Sequence, residues 1–161
     1  MNTHITIIPP GQDMAPMRRP ELFNGITLKR IFAYLIDLVV ISVLVMAAWV
    51  ATGLLGILSF GLLLPLQAMA VVLLPLAYHT LLIASPASAT LGMRVMGIQV
   101  VTAADGLPPS LLQALILTVA FFGSVALTGF LVLIIALFTP QRRTLHDFLA
   151  GTVVINAKTR L

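Results

Sequence analysis

Leu28-Lys29-Arg30-Ile31-Phe32-Ala33-Tyr34-Leu35-Ile36-Asp37-Leu38-Val39-Val40 begins as a basic collar and continues as an apolar run with one carboxylate inside it. As a helix, the stretch sets Arg30 and Asp37 on one face, almost two turns and about 10 Å apart along the axis. Predominantly apolar residues continue beyond Asp37 as far as Leu58, so the carboxylate falls at membrane depth. A charge there costs roughly 2.5–3.5 kcal/mol on insertion scales, and such residues by default mark a functional site. The stretch decides two things: the chain enters a bilayer here, and it takes an acid with it.

The composition agrees. Hydrophobic residues fill 60% of the 161 positions and charged ones 9%, with a mean hydropathy of +1.10; soluble domains carry about 25% charged residues. The net charge of +4 comes from basic residues gathered at 18–30, at Arg94 and at 142–160. The long apolar runs between them carry none, which is the arrangement that the positive-inside rule converts into topology. A basic face for nucleic acid has no soluble domain to form on, so the expected partner is lipid and no nucleic acid. The absence of cysteine excludes disulfides, thiolate metal sites and cysteine nucleophiles.

Residues 1–24 contain Pro9-Pro10-Gly11, Pro16 and Pro20 without usable periodicity, and read as a disordered cytoplasmic tail. The membrane domain is expected over 25–157. Its first span covers 29–56, Gly53, Gly56, Ser59 and Gly61 mark a short uncharged turn, and a second span covers 62–84. Pro65 and Pro75 in the second span are tolerated in membrane helices. Two long runs joined so briefly make a helical hairpin. With Lys29 and Arg30 held inside, the hairpin returns the loop 85–110 to the cytoplasm.

Within that loop, the β-branched run 95–101 suggests a strand, Asp105-Gly106 a turn, and Ser110 the N-cap of the next helix. A third apolar region, 111–138, is long for one span and short for two, and Gly123-Ser124 and Thr128-Gly129 interrupt its middle. It is either one bent helix or a helical hairpin. Arg142, Arg143, Lys158 and Arg160 in the tail 139–161 favour the hairpin, which brings the tail back to the cytoplasm. A second β-branched run, 151–155, can pair with 97–101 only after the same return. The expected class is an all-α integral membrane protein with one short cytoplasmic β pairing.

Three blocks of the chain resemble the RDD family of bacterial membrane proteins, named for one arginine and two aspartates. Arg30-Ile31-Phe32-Ala33-Tyr34-Leu35-Ile36-Asp37 resembles the family's opening, with its arginine at the helix start and its first aspartate inside. Thr90-Leu91-Gly92-Met93-Arg94-Val95-Met96-Gly97-Ile98-Gln99-Val100-Val101, followed by Asp105-Gly106, resembles its central loop. Arg143-Thr144-Leu145-His146-Asp147-Phe148-Leu149-Ala150-Gly151-Thr152-Val153-Val154 resembles its closing segment, and Asp147 falls on the second aspartate. Met93 stands where many relatives carry lysine, and 111–122 lacks the arginine often found early in that region. The resemblance implies a multi-pass bacterial inner-membrane protein with Arg30, Asp37 and Asp147 as signature residues. It also implies transport, with cation–proton exchange in some members.

Asp37 needs a partner or a proton. Counted from the cytoplasmic ends of the two spans, Asp37 and His79 lie at matching depth, with Tyr34 and Tyr78 as nearby hydroxyl donors. A carboxylate–imidazole pair suits proton-coupled transport. Alternatively, Asp37 is a structural anchor held by Arg30, Arg94 or the Arg142-Arg143 pair. His146-Asp147 reads either as a cytoplasmic gate pairing with the Arg30 end of the first span, or as a structural fixture in which Asp147 caps the next helical turn or pairs with Arg94. No nucleophile with an orienting group accompanies these residues, so no enzyme is expected. His4, His79 and His146 lack ligand spacing, so neither metal nor cofactor is expected.

Gly53, Gly56, Gly61, Gly123 and Gly129 permit close helix contacts, within the chain, in a homo-oligomer or in a larger membrane complex. Two functions from different classes follow. One is a cation- or proton-coupled transporter component built around Asp37; the other is a non-transporting accessory subunit.

Overall fold

The computed structural model describes residue 16, residues 19–128 and residues 142–157. Expectations for 1–15, 17–18, 129–141 and 158–161 lie outside the described residues, including the course of the third apolar region beyond Thr128.

Gly25, at φ +68°, turns the backbone into helix α1, Ile26–Leu58, whose 33 residues extend about 50 Å. Helix α2, Leu64–Ile83, has 20 residues and about 30 Å. Pro65 lies in its first turn, where a missing N–H costs nothing, and Pro75 lies inside it. Gln67 Nε2 donates to the Trp49 carbonyl at 3.3 Å and Tyr78 reaches Asp37, so α1 and α2 run antiparallel. Both are long and apolar enough to cross a membrane. Two hydroxyls of α1 are satisfied within the helix: Ser42 donates to the Leu38 carbonyl and Thr52 to that of Ala48, as suits a bilayer. The helices run from 26 to 58 and from 64 to 83, against the expected 29–56 and 62–84.

The remaining elements gather at the end of the hairpin where α1 begins. They are α3 (Leu91–Val95), β1 (Ile98–Thr102), α4 (Leu111–Thr128), α5 (Leu145–Ala150) and β2 (Thr152–Asn156). Ser110 and Gln113 cap the start of α4 reciprocally: the Ser110 N–H donates to Gln113 Oε1, and the Gln113 N–H to Ser110 Oγ. β1 and β2 are antiparallel, with Ile98 opposite Asn156 and Thr102 opposite Thr152, one residue beyond the expected 97–101 and 151–155. The chain that leaves this end at Leu111 is therefore back beside it at Arg142. The core lies here too, with Ile26, Ile98, Val100, Val101 and Val153 fully buried.

Residues 19–24 correct one expectation. They are not part of a disordered tail: Pro20–Phe23 forms a 3-10 turn that buries Leu22 and Phe23. Asn156 Nδ2 donates to the carbonyls of Leu22 and Asn24, and Lys29 Nζ donates to Asn156 Oδ1. Two large apolar side chains have a core to enter, which outweighs the order lost to prolines.

The register can be tested in a chain that has no native cysteine. The combination Gln99→Cys with Ile155→Cys joins directly opposed residues, whose Cα atoms are about 4.5–5.5 Å apart in such ladders. Mild oxidation is expected to cross-link it within one chain, as read by gel mobility. Gln99→Cys with Val153→Cys, offset by two positions, is expected to stay open.

Candidate functional site

Asp37 is buried on α1. Its carboxylate accepts from the Tyr78 hydroxyl of α2 at 2.7 Å, from the Thr90 hydroxyl at 2.6 Å, and from the Gly92 backbone N–H at 2.8 Å. All three donors are neutral. Thr90 is also the N-cap of α3, its oxygen accepting from the Met93 N–H. Gly92 brings α3 directly onto α1: a Cβ there would stand 2.1 Å from the Ala33 carbonyl oxygen and 2.9 Å from Asp37 Cγ. Hydrogen bonds to a charged group each contribute about 1.5–3 kcal/mol, comparable with the cost of placing the acid in the bilayer.

This arrangement corrects the expected partners of Asp37. Arg30, Arg94, Arg142 and Arg143 do not hold it, and His79 does not pair with it. His79 Nδ1 donates to the Pro75 carbonyl at 3.1 Å. Arg94 Nε donates to the Ala89 carbonyl, while Arg143 donates to the carbonyls of Thr152 and Asp147 and stacks 4.1 Å over the Phe148 ring. Arg142 takes a left-handed backbone, φ +53°, just before α5. Hydroxyls and an amide already lie at the depth of Asp37, so no cation has to be desolvated to meet it.

The second aspartate takes the cation. Arg30 Nη1 lies 2.7 Å from Asp147 Oδ2, the one ion pair among the described residues; Asp147 is buried and Arg30 partly so. Asp147 also accepts from the Thr144 N–H at 2.9 Å and the Thr144 hydroxyl at 2.8 Å, capping α5. Asp147 thus both pairs with Arg30 and caps α5, and the alternative pairing with Arg94 does not occur. The single Thr144 hydroxyl proton goes to Asp147, so His146 Nε2, 2.6 Å from Thr144 Oγ1, must be the protonated nitrogen that donates to it. That leaves His146 Nδ1 a bare lone pair, buried and without a partner among the described residues. The Arg30 Nε and Nη2 donors are likewise buried without an acceptor among the described residues.

Arg30, Tyr34, Asp37, His79, His146 and Asp147 all line one cavity of about 100 Å³, room for several waters. Phe121 of α4 packs edge-on against Tyr34 and His146, at 5.7 and 5.2 Å between ring centroids, and lies 6.1 Å from His79. Thr90, Gly92, Thr144 and Phe121 were not singled out as site residues by sequence reasoning. Thr144 had a signal, the capping pattern Thr144-x-x-Asp147; the others look like ordinary loop or core residues.

Outside the spans, burial pushes the His146 imidazole down to about 4, with Asp147 opposing and Arg30 assisting. For Asp147, burial alone would raise the carboxyl, but Arg30 and the Thr144 N–H outweigh it and hold the group below its ordinary value. The unfolded chain therefore binds more protons than the folded one as pH drops below about 6.5. Stability from His146 is full above that value and declines as pH falls toward about 4; stability from Asp147 is lost as pH falls through its still lower folded value. Melting temperature in detergent is expected to fall from neutral pH to about pH 4, and His146→Gln to flatten that fall. At neutral pH, Gly92→Ala is expected to lower stability by about 3 kcal/mol. An unchanged melting temperature would show that α3 does not rest on α1.

The sequence pattern of the RDD family matches residues 26–151, a stretch holding Arg30, Asp37 and Asp147. No curated protein and no solved structure matches the chain. With most of its length inside the match and two helices fit to cross a bilayer, this membrane protein belongs to the RDD family.

Proposed function

We propose that the protein is a small transport component of the bacterial inner membrane, coupled to protons or cations, with the cavity as the place where the coupling occurs. One observation carries the reading: two imidazoles, two carboxylates, a guanidinium and a phenol line a single cavity. Ionisable groups at membrane depth are functional candidates by default. His79 uses Nδ1 on Pro75, which leaves Nε2 as its proton acceptor, and His146 offers Nδ1. Two proton acceptors thus border the same small space, and Asp37 is the fixed charge beside them. Lys29, Arg30, Arg94, Arg142 and Arg143 fall at one end, which the positive-inside rule assigns to the cytoplasm. The reading requires no catalysis and no cofactor. Several copies, or a larger complex, would supply the rest of a path across the bilayer, because the polar lining is confined to one end of the helices.

A second reading, a non-transporting accessory subunit, is favoured by a different observation. Asp37 already has three donors and Arg30 already has Asp147, so the signature charges serve as clamps within the chain.

Ion flux in proteoliposomes separates the two. Transport predicts cation or proton flux from the wild type and its loss in Asp37→Asn at normal expression and melting temperature. Absence of flux for every cation tested across several pH values would sink the coupled reading; loss of folding or of a co-purifying partner in the variant would favour the accessory one.

A further inference from the structure

Helices α3 and α5 are built inside out. On α5 the buried face carries His146, Asp147 and Ala150, whereas Leu145, Phe148 and Leu149 are 47%, 49% and 64% exposed. On α3, Gly92 meets α1, whereas Leu91 and Val95 are 41% and 70% exposed. A helix on a water-facing protein surface has the reverse pattern, apolar inward and polar outward. Five large apolar side chains on two short helices, α3 packed on α1 and α5 packed on α4, call for a cover.

We propose that α3 and α5 lie in the headgroup region of the nearer leaflet, with their outward faces on lipid and Arg94 and Arg142 beside anionic phosphates. Depth is the first argument. α3 touches α1 at Ala33 and Asp37, and α5 reaches it at Arg30. The outward apolar surface of α1 begins at the same level, with Leu28, Phe32 and Leu35 exposed. The two short helices therefore continue a surface that the membrane-spanning helix already presents to lipid. Charge is the second argument. Arg94 sits between Leu91 and Val95 on α3, and Arg142 lies three residues before the first residue of α5. Basic residues flanking an apolar interfacial face are the pattern that draws anionic lipid. The buried charges then lie beneath a roof that is itself partly immersed, and the protein's membrane boundary runs over the outer faces of α3 and α5. This inference needs a bilayer and no particular transport activity.

The test uses the full chain in vesicles, with Trp49→Phe removing the native fluorophore and Phe148→Trp reporting from α5. Bromine-labelled acyl chains are expected to quench the emission about twofold or more, and aqueous iodide hardly at all, as for a residue at the acyl boundary. Quenching by iodide alone would place the face in water and overturn the proposal. Quenching by neither would show a protein cover, a second copy or another chain, and would also overturn it. Leu149→Trp serves as a second reporter if Phe148→Trp unfolds. For the charge component, brominated phosphatidylglycerol is expected to quench more than brominated phosphatidylcholine. The ratio is expected to approach one in Arg94→Gln with Arg142→Gln, and a ratio of one in the parent would refute the phosphate contacts.

Discussion

A carboxylate with three neutral donors is the constraint around which this fold is arranged. Each donor of Asp37 arrives on a different piece of chain: a phenol from α2, a hydroxyl from the residue before α3, and an amide from α3 itself. The first fixes how the two long helices face each other. The other two seat α3, and α3 passes through Gly97 directly into β1. β1 in turn sets β2 by pairing, and β2 follows α5, whose Asp147 closes on Arg30. The path begins and ends on α1, within two turns of one helix. An acid that would be a burden in an isolated helix becomes the point from which the rest is located.

The long helices were legible because lipid exposure imposes a simple rule, an unbroken apolar run, on α1 and α2. The burial of Asp37 was legible for the same reason. Its partners were not, because the search for them followed charge. Thr90 supplies a hydroxyl and Gly92 a backbone amide, and neither marks a sequence as an arginine does. The pairing of Arg30 with Asp147 stood among the alternatives, yet nothing local ranks a contact across 117 residues above one with Arg94. Order at 20–24 was hidden by prolines, although Leu22 and Phe23 were there to be read as core. The inverted faces of α3 and α5 depend on what lies behind each helix, and six residues are too few to show a period.

The cavity poses the opposite problem to Asp37. There every lone pair of consequence has a donor nearby; here the Arg30 Nε and Nη2 donors and the His146 Nδ1 acceptor are buried without partners among the described residues. Buried polar groups are rarely left so, and the largely apolar cavity beside them is wide enough for water. Donors on the guanidinium and an acceptor on the imidazole are the complementary requirements that a bridging water meets. The two ends of the site thus differ in kind, one rigid and internally complete, the other able to take up solvent.

The contacts on α1 also impose an order of assembly. When α1 first enters the bilayer, Asp37 and Arg30 have no partners. Tyr78 comes with α2; Thr90 and Gly92 follow; Asp147 and Asn156 arrive after every other described element, 117 and 127 residues beyond the groups they meet. Until then Arg30 lacks the carboxylate that it meets in the finished fold. A chain cut short before residue 147 has the residues of both long helices but lacks the aspartate that closes on Arg30. The ion pair is therefore a late closure: it joins the beginning of the first membrane helix to the last described helix, and completes a fold whose long helices are already specified.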